Sequence, residues 1–149
     1  MFRAAMSIAI AAVGLMGCDR AEVVDGGTGR YTHVDVHYRS FDSLAPVSYS
    51  KSDLVSRAPV KFSTDDTATV DRLNSAIPSQ CRQVRAPVES SLDYYLLVEF
   101  FDGDRLKKEF GASGLHFVEK DGVSERVCEL LPGDRQQLAE VLASFSAAN

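Results

Sequence analysis

Polar and apolar residues alternate without a break from Thr32 to Arg39. Thr32, Val34, Val36 and Tyr38 fall on one side, and His33, Asp35, His37 and Arg39 on the other, which is the period of a half-buried strand. Two shorter strand candidates follow, "APVSYS" at 45–50 and "APVKFS" at 58–63, with Pro46 and Pro59 marking edges or strand starts. The intervening "KSDLVSR" reads as a turn or a short helix. From Ser63 the spacing changes. Val70, Leu73 and Ile77 recur at steps of three and four, predicting a helix capped by Ser63 or Thr64 and ended by Pro78. Asp65 and Asp66 suit the positive end of its dipole.

Alternation returns in "SLDYYLLVEFFDGDRLKKEFGAS", with Tyr94, Leu96, Val98 and Phe100 on one face and Asp102-Gly103 as the turn of a hairpin. Glu99 lies on the other face with Tyr95, Leu97 and Phe101, where it is expected to pair with Lys107 or Lys108. "LHFVEKDGVSERVCEL" reads as a second hairpin around Asp121-Gly122. Leu138, Val141, Leu142 and Phe145 then give a closing amphipathic helix, with Asp134 as its cap and Leu131 as a hydrophobic staple. Strands, helix, two hairpins and helix predict an α+β domain: a mostly antiparallel sheet of about five to seven strands, with two helices packed on one face.

The first residues follow another pattern. Arg3 precedes an uncharged apolar run, Ala4–Met16, whose length suits a signal peptide more than a membrane span. The run ends in Leu15-Met16-Gly17-Cys18, which resembles the lipobox of bacterial lipoproteins; Met16 departs from the small or β-branched residue usual there. The resemblance covers only this segment. It implies that residues 1–17 are removed and that Cys18 carries a diacylglyceryl thioether with an acylated amine, so that its sulfur is a tether. Two or three acyl chains anchor stably where one does not, at about 0.8 kcal/mol per buried CH₂. Asp19 resembles the inner-membrane retention signal of enteric lipoproteins, which implies a periplasm-facing anchor in that membrane. Residues 18–30 then form the lipidated cysteine and a flexible leash, with Gly26, Gly27 and Gly29 and little to bury. "GGTGR" lacks the Gly-Lys-Ser/Thr ending of a phosphate loop. Residues 31–149 make one globular domain, in keeping with 149 residues of which 45% are hydrophobic.

With Cys18 acylated, Cys81 and Cys128 remain. In the oxidising space outside the cytoplasmic membrane, such a pair reads as a disulfide. It lacks the Cys-x-x-Cys spacing usual for a redox pair.

Candidate chemistry is sparse. His33, Asp35 and His37 are metal-ligand types on one strand face. A strand rises about 3.3 Å per residue, so the two histidines stand about 13 Å apart, and one ion takes either with Asp35 but not all three. Val34, Val36 and Tyr38 claim the core, so a solvated face is the expected state. No nucleophile elbow, His-Glu-x-x-His, phosphate loop or calcium loop is present, and no cofactor is implied. Loss of residues 1–17 removes Arg3, leaving 15 basic against 21 acidic side chains and a net −6. That balance, without an arginine–aromatic surface, points away from nucleic acid. The expected function is a non-catalytic domain, anchored in the envelope, that binds a protein partner. In its sharper form it is an inhibitor or immunity protein against a secreted cell-wall hydrolase, with acids such as Asp42, Asp53, Glu119 and Glu125 steering a basic partner. The alternative is a periplasmic metal-binding module built on His33, Asp35 and His37.

The lipobox reading predicts a mature N-terminus at Cys18 bearing acyl chains, measurable by mass spectrometry. Cys18→Ala is expected to leave the chain uncleaved or unanchored; a processed Cys18→Ala chain that still fractionates with membranes contradicts it.

Overall fold

The computed structural model describes residues 30–43, 47–85 and 92–146. The lipobox cysteine Cys18 and nearly all of the leash lie outside them. The described residues form six strands and three helices: β1 (His33–Tyr38), α1 (Lys51–Arg57), β2 (Val60–Thr64), α2 (Thr67–Ala76), β3 (Tyr94–Asp102), β4 (Arg105–Ser113), β5 (His116–Asp121), β6 (Ser124–Glu129) and α3 (Pro132–Ser146). The strands build one antiparallel sheet in the order β2-β1-β3-β4-β5-β6. The α+β class is therefore as expected.

Alternation decides what each face holds. Val34 and Val36 of β1, Leu96, Val98 and Phe100 of β3, and Phe110 and Phe117 of β4 and β5 point to one side. There they meet Val70 and Leu73 of α2 and Leu138 and Leu142 of α3. The three phenylalanines are fully buried, each contributing about 2–3 kcal/mol by transfer from water. The opposite side is where expectation and structure part. α1 is a third helix and sits on that side: its Leu54 packs with Leu97 and Val118. Ser50 caps α1 in a capping box with Asp53, so this four-residue pattern, and not a long apolar stripe, makes the short helix. The strand expected at 45–50 does not form over the described residues 47–50, where Val47 is exposed. Pro46 falls outside them.

Three smaller differences have local causes. Asp66, not Ser63 or Thr64, caps α2, accepting from the Thr69 amide at 2.9 Å, because β2 carries the chain in extended form through Thr64. α3 begins one turn early, with Pro132 at its first position, where its missing N–H costs nothing; Asp134 lies in the first turn. Both hairpin turns are shifted by one residue: Asp102 pairs with Arg105 and Asp121 with Ser124. Gly103 and Gly122 thus take the first central position, with φ of 58° and 54°, as a type II′ turn requires.

Charged groups also enter the helix-covered side. Glu119 is buried, and Lys108 and Arg126 close on it from β4 and β6. Lys108 also donates to Asn74 Oδ1 at 3.1 Å, and Arg126 to the Pro78 and Ser79 carbonyls at 3.1 and 3.2 Å. This satisfies carbonyls beyond the end of α2 and leaves the Glu119 carboxylate fully partnered. Lys108 is therefore unavailable to Glu99, and Lys107 pairs with Asp102. Cys81 and Cys128 are joined, with Cα atoms 5.2 Å apart and 47 residues of sequence separation. Such a loop is worth about 4 kcal/mol in the chain-entropy account. Next to the bridge, residues 82–84 run along β6, with Glu129 donating to the Arg82 carbonyl and Val84 to the Val127 carbonyl at 3.0 and 3.2 Å. That covers a sheet edge otherwise open to pairing.

A register shift between Tyr94 and Leu96 turns Tyr94 away from the α2/α3 core and into the cluster under α1. Its ring occupies the space over Gly111, where an added Cβ would stand 2.7 Å from Tyr94 Cε1. Gly111→Ala is expected to lower stability by about 1–3 kcal/mol, read as the urea midpoint. A companion Tyr94→Leu exchange in the Gly111→Ala background should recover part of that loss; an additive loss contradicts the contact.

Candidate functional site

The side of the sheet opposite α2 and α3 has two halves. Leu97, Gly111 and Val118 lie in one row across β3, β4 and β5, and α1 and the Tyr94 ring cover that row. The next row holds Ser63, Asp35, Glu99, Glu109 and Lys120, directly paired from β2 through β5. Three carboxylates thus stand abreast on adjacent strands, where paired residues lie about 5 Å apart and like charges destabilise each other. Lys51, at the start of α1, reaches down to pair with Glu109. Glu99 is held between the two acids. Burial pushes its carboxyl above the usual carboxylate range, Lys51 opposes this, and Glu109 and Asp35 add to it.

The three residues singled out on β1 are divided by the structure. His33 and Asp35 meet, Nε2 to Oδ1 at 3.1 Å. The same nitrogen lies 3.0 Å from the Ser63 hydroxyl, and Nδ1 lies 3.8 Å from Asp65. His37 lies in the row with Leu97 and Lys61. Its Nδ1 is buried with no hydrogen-bond partner, and its pKa is lowered, by burial first and by Lys61 second, against Asp35. Among the described residues, no group of three His, Cys, Asp or Glu side chains is arranged to hold a metal ion. The face is half-buried, not fully solvated as expected, because α1 roofs part of it.

Arg39 departs furthest from expectation. It does not continue the row of histidines. β1 ends at Tyr38, and Arg39 is 3% exposed, its guanidinium held between the Tyr49 and Tyr95 rings at 4.3 and 3.9 Å. It donates to the Tyr94 carbonyl at 2.9 Å and pairs with Asp93. Asp93 in turn accepts from the Tyr49 amide at 2.7 Å. This clasp ties the segment before α1 to the start of β3. Its parts are scattered through the sequence, and nothing local announces them. Glu119, expected as an exposed steering charge, is instead the buried centre of the pair with Lys108 and Arg126.

The fold and this face define an α+β domain, closed by a disulfide, with an acidic row in which Asp35 and Glu99 are half-buried and Glu109 is buried and paired with Lys51. No protein-family model matches the chain, and no curated protein or solved structure shows significant similarity to it.

The raised Glu99 has a signed consequence for stability. An unfolded glutamate titrates near 4.5. The folded value is higher, so the favourable contribution is complete below that and is lost as pH rises through the folded value. Ionised Glu99 therefore weakens the fold at neutral pH. Glu99→Gln is expected to raise the urea midpoint at about pH 7 and to match the parent at about pH 4. A midpoint lowered at about pH 7 and unchanged at about pH 4 would mean that the carboxylate makes a net favourable contact.

Proposed function

We propose that the chain is a lipid-anchored envelope protein whose domain binds a basic protein partner on this half-open face and acts by occupancy, without turnover. The carrying observation is the row of Asp35, Glu99 and Glu109 abreast on β1, β3 and β4. Asp65 lies beside it near His33. Adjacent like charges cost stability. Glu109 is buried and paired with Lys51, so a cationic side chain from a partner relieves that cost at the half-buried Glu99 and Asp35. The chain's formal net charge of −5 adds long-range steering. A partner of this chemistry is a secreted, basic cell-wall hydrolase, and the domain then serves as its inhibitor or immunity protein. The leash expected from the glycine-rich sequence sets the reach: about 12 residues of such a chain give an end-to-end distance of about 20 Å, which keeps the domain near the headgroups of the membrane that holds Cys18.

The test is to capture partners from a periplasmic extract on the domain lacking residues 1–18 and to assay any captured hydrolase with and without it. Association is expected to slow as salt rises, since screening shortens the field to about 8 Å at physiological ionic strength. The double variant Asp35→Asn, Glu99→Gln is expected to slow it by about tenfold. No captured protein, together with turnover of a small substrate by the domain alone, would overturn the reading in favour of an enzyme.

A further inference from the structure

A second feature lies apart from the acidic row and does not depend on it. Beside the β4–β5 turn is a concavity of about 750 Å³, within the size range of small-molecule sites. Two guanidinium side chains, Arg82 and Arg135, and the His116 imidazole line it, against one carboxylate, Glu129. Glu129 already pairs with Arg82 at 3.3 Å, which leaves Arg135 as the uncompensated formal charge of the lining. In a chain of net charge −5, this is a local excess of positive charge. The rest of the lining is largely apolar, including Leu130 and Leu115. Leu115 keeps 70% of its surface exposed at the turn, where a leucine has nothing of its own to pack on.

The walls are preformed. Arg82 follows the bridged Cys81, and its carbonyl accepts from the Glu129 amide. The turn that carries Leu115 and His116 is closed by the Ser113 hydroxyl, which accepts from the His116 amide at 2.9 Å and donates to its carbonyl at 3.0 Å. Leu130 donates to the Leu115 carbonyl at 2.8 Å, which fixes the floor to the rim. The backbone of the site is thus held before binding, while the exposed Arg82 and Leu115 side chains are ordered by the ligand. A smaller concavity on the other side of the same turn has the acidic Asp93 in its lining and no arginine, so an anion is drawn to the first.

We propose that the concavity between the β4–β5 turn, β6 and the first turn of α3 binds a small organic carboxylate carrying an apolar group, with Arg135 and Arg82 holding the carboxylate and Leu115 and Leu130 the apolar group. A guanidinium pairs with a carboxylate through two parallel N–H donors, and an exposed leucine gains by being covered.

The experiment uses the full chain in neutral detergent, with N-acetyl-leucine as probe, N-acetyl-leucinamide as its uncharged counterpart and inorganic phosphate as an anion without an apolar part. Calorimetry gives affinities, and amide NMR shifts locate the site. N-acetyl-leucine is expected to bind saturably, with shifts at Leu115, His116 and Arg135. Arg135→Ala and Arg82→Ala are each expected to weaken it at least tenfold, and Arg105→Ala, at the β3–β4 turn, to leave it unchanged. Arg82 is 80% exposed, so its removal leaves the fold intact and keeps the test sound where Arg135→Ala unfolds. Three results overturn the proposal: no saturable binding of N-acetyl-leucine, equal affinity for the amide or for phosphate, or an Arg82→Ala chain that folds and binds as the parent does.

Discussion

β1 meets β3 along six rungs, from His33 opposite Phe101 to Tyr38 opposite Leu96, across a long excursion of chain that includes α1, β2 and α2. Every larger feature hangs on that pairing. It joins the two-stranded β1–α1–β2 unit, marginal alone, to the continuous meander of β3 to β6, and so makes one sheet with a continuous apolar side. It also places Val34 and Val36 against Leu96, Val98 and Phe100 under the helices. On the reverse it sets Asp35 beside Glu99, and β4 adds Glu109. A slip of one residue would bury His33, Asp35 and His37 and expose the valines, so burial on one side dictates the charge pattern on the other.

The chain handles its buried charges in two ways. Under α2, Glu119 is enclosed by Lys108 and Arg126, with further donors spent on Asn74 and on the Pro78 and Ser79 carbonyls. That group is satisfied and its role is to hold the end of α2 on the sheet. At the end of β1, Arg39 is enclosed by two tyrosine rings and Asp93 and anchors the approach to α1. Between these two lies the acidic row, where Lys51 pairs with Glu109 while Glu99 is pushed toward its neutral form. The Glu119 group is complete, whereas Arg39 keeps one guanidinium nitrogen, Nη1, buried without a hydrogen-bond partner. Satisfied networks stabilise position, whereas crowded like charges lower stability.

The cystine has a comparable double effect. By closing Cys81 onto Cys128 it limits the unfolded chain, and it also lays residues 82–84 along β6. One consequence is a covered edge. The other is that Arg82 comes to stand in one concavity with His116 and Arg135, residues with no proximity in sequence.

Much of the architecture is written in local pattern. Alternation marks β1 and the two hairpins, and steps of three and four mark α2 and α3, because strand and helix periods depend only on neighbours along the chain. The Cys81–Cys128 pairing was legible too, since once Cys18 is assigned to the anchor only two thiols remain. What sequence could not carry are outcomes decided by distant residues. The side of the sheet taken by α1 depends on Leu97 and Val118 meeting Leu54. The turn of Tyr94 away from Leu96 and Val98 depends on a bulge and on the absence of a side chain at Gly111. Arg39 reads as the next polar residue of an alternating strand, yet it is buried, because Tyr49, Tyr95 and Asp93 arrive from elsewhere to stack on and pair with it. The sequence alone thus determined β1, the two hairpins, α2 and α3 and their order, whose causes are local. It placed a strand at 45–50 that does not form over 47–50, and it left α1 between turn and helix. Only the tertiary structure decided which charges are paired, crowded or enclosed, because a Coulomb interaction depends on distance in space and on solvent exclusion, and neither is a property of position along the chain.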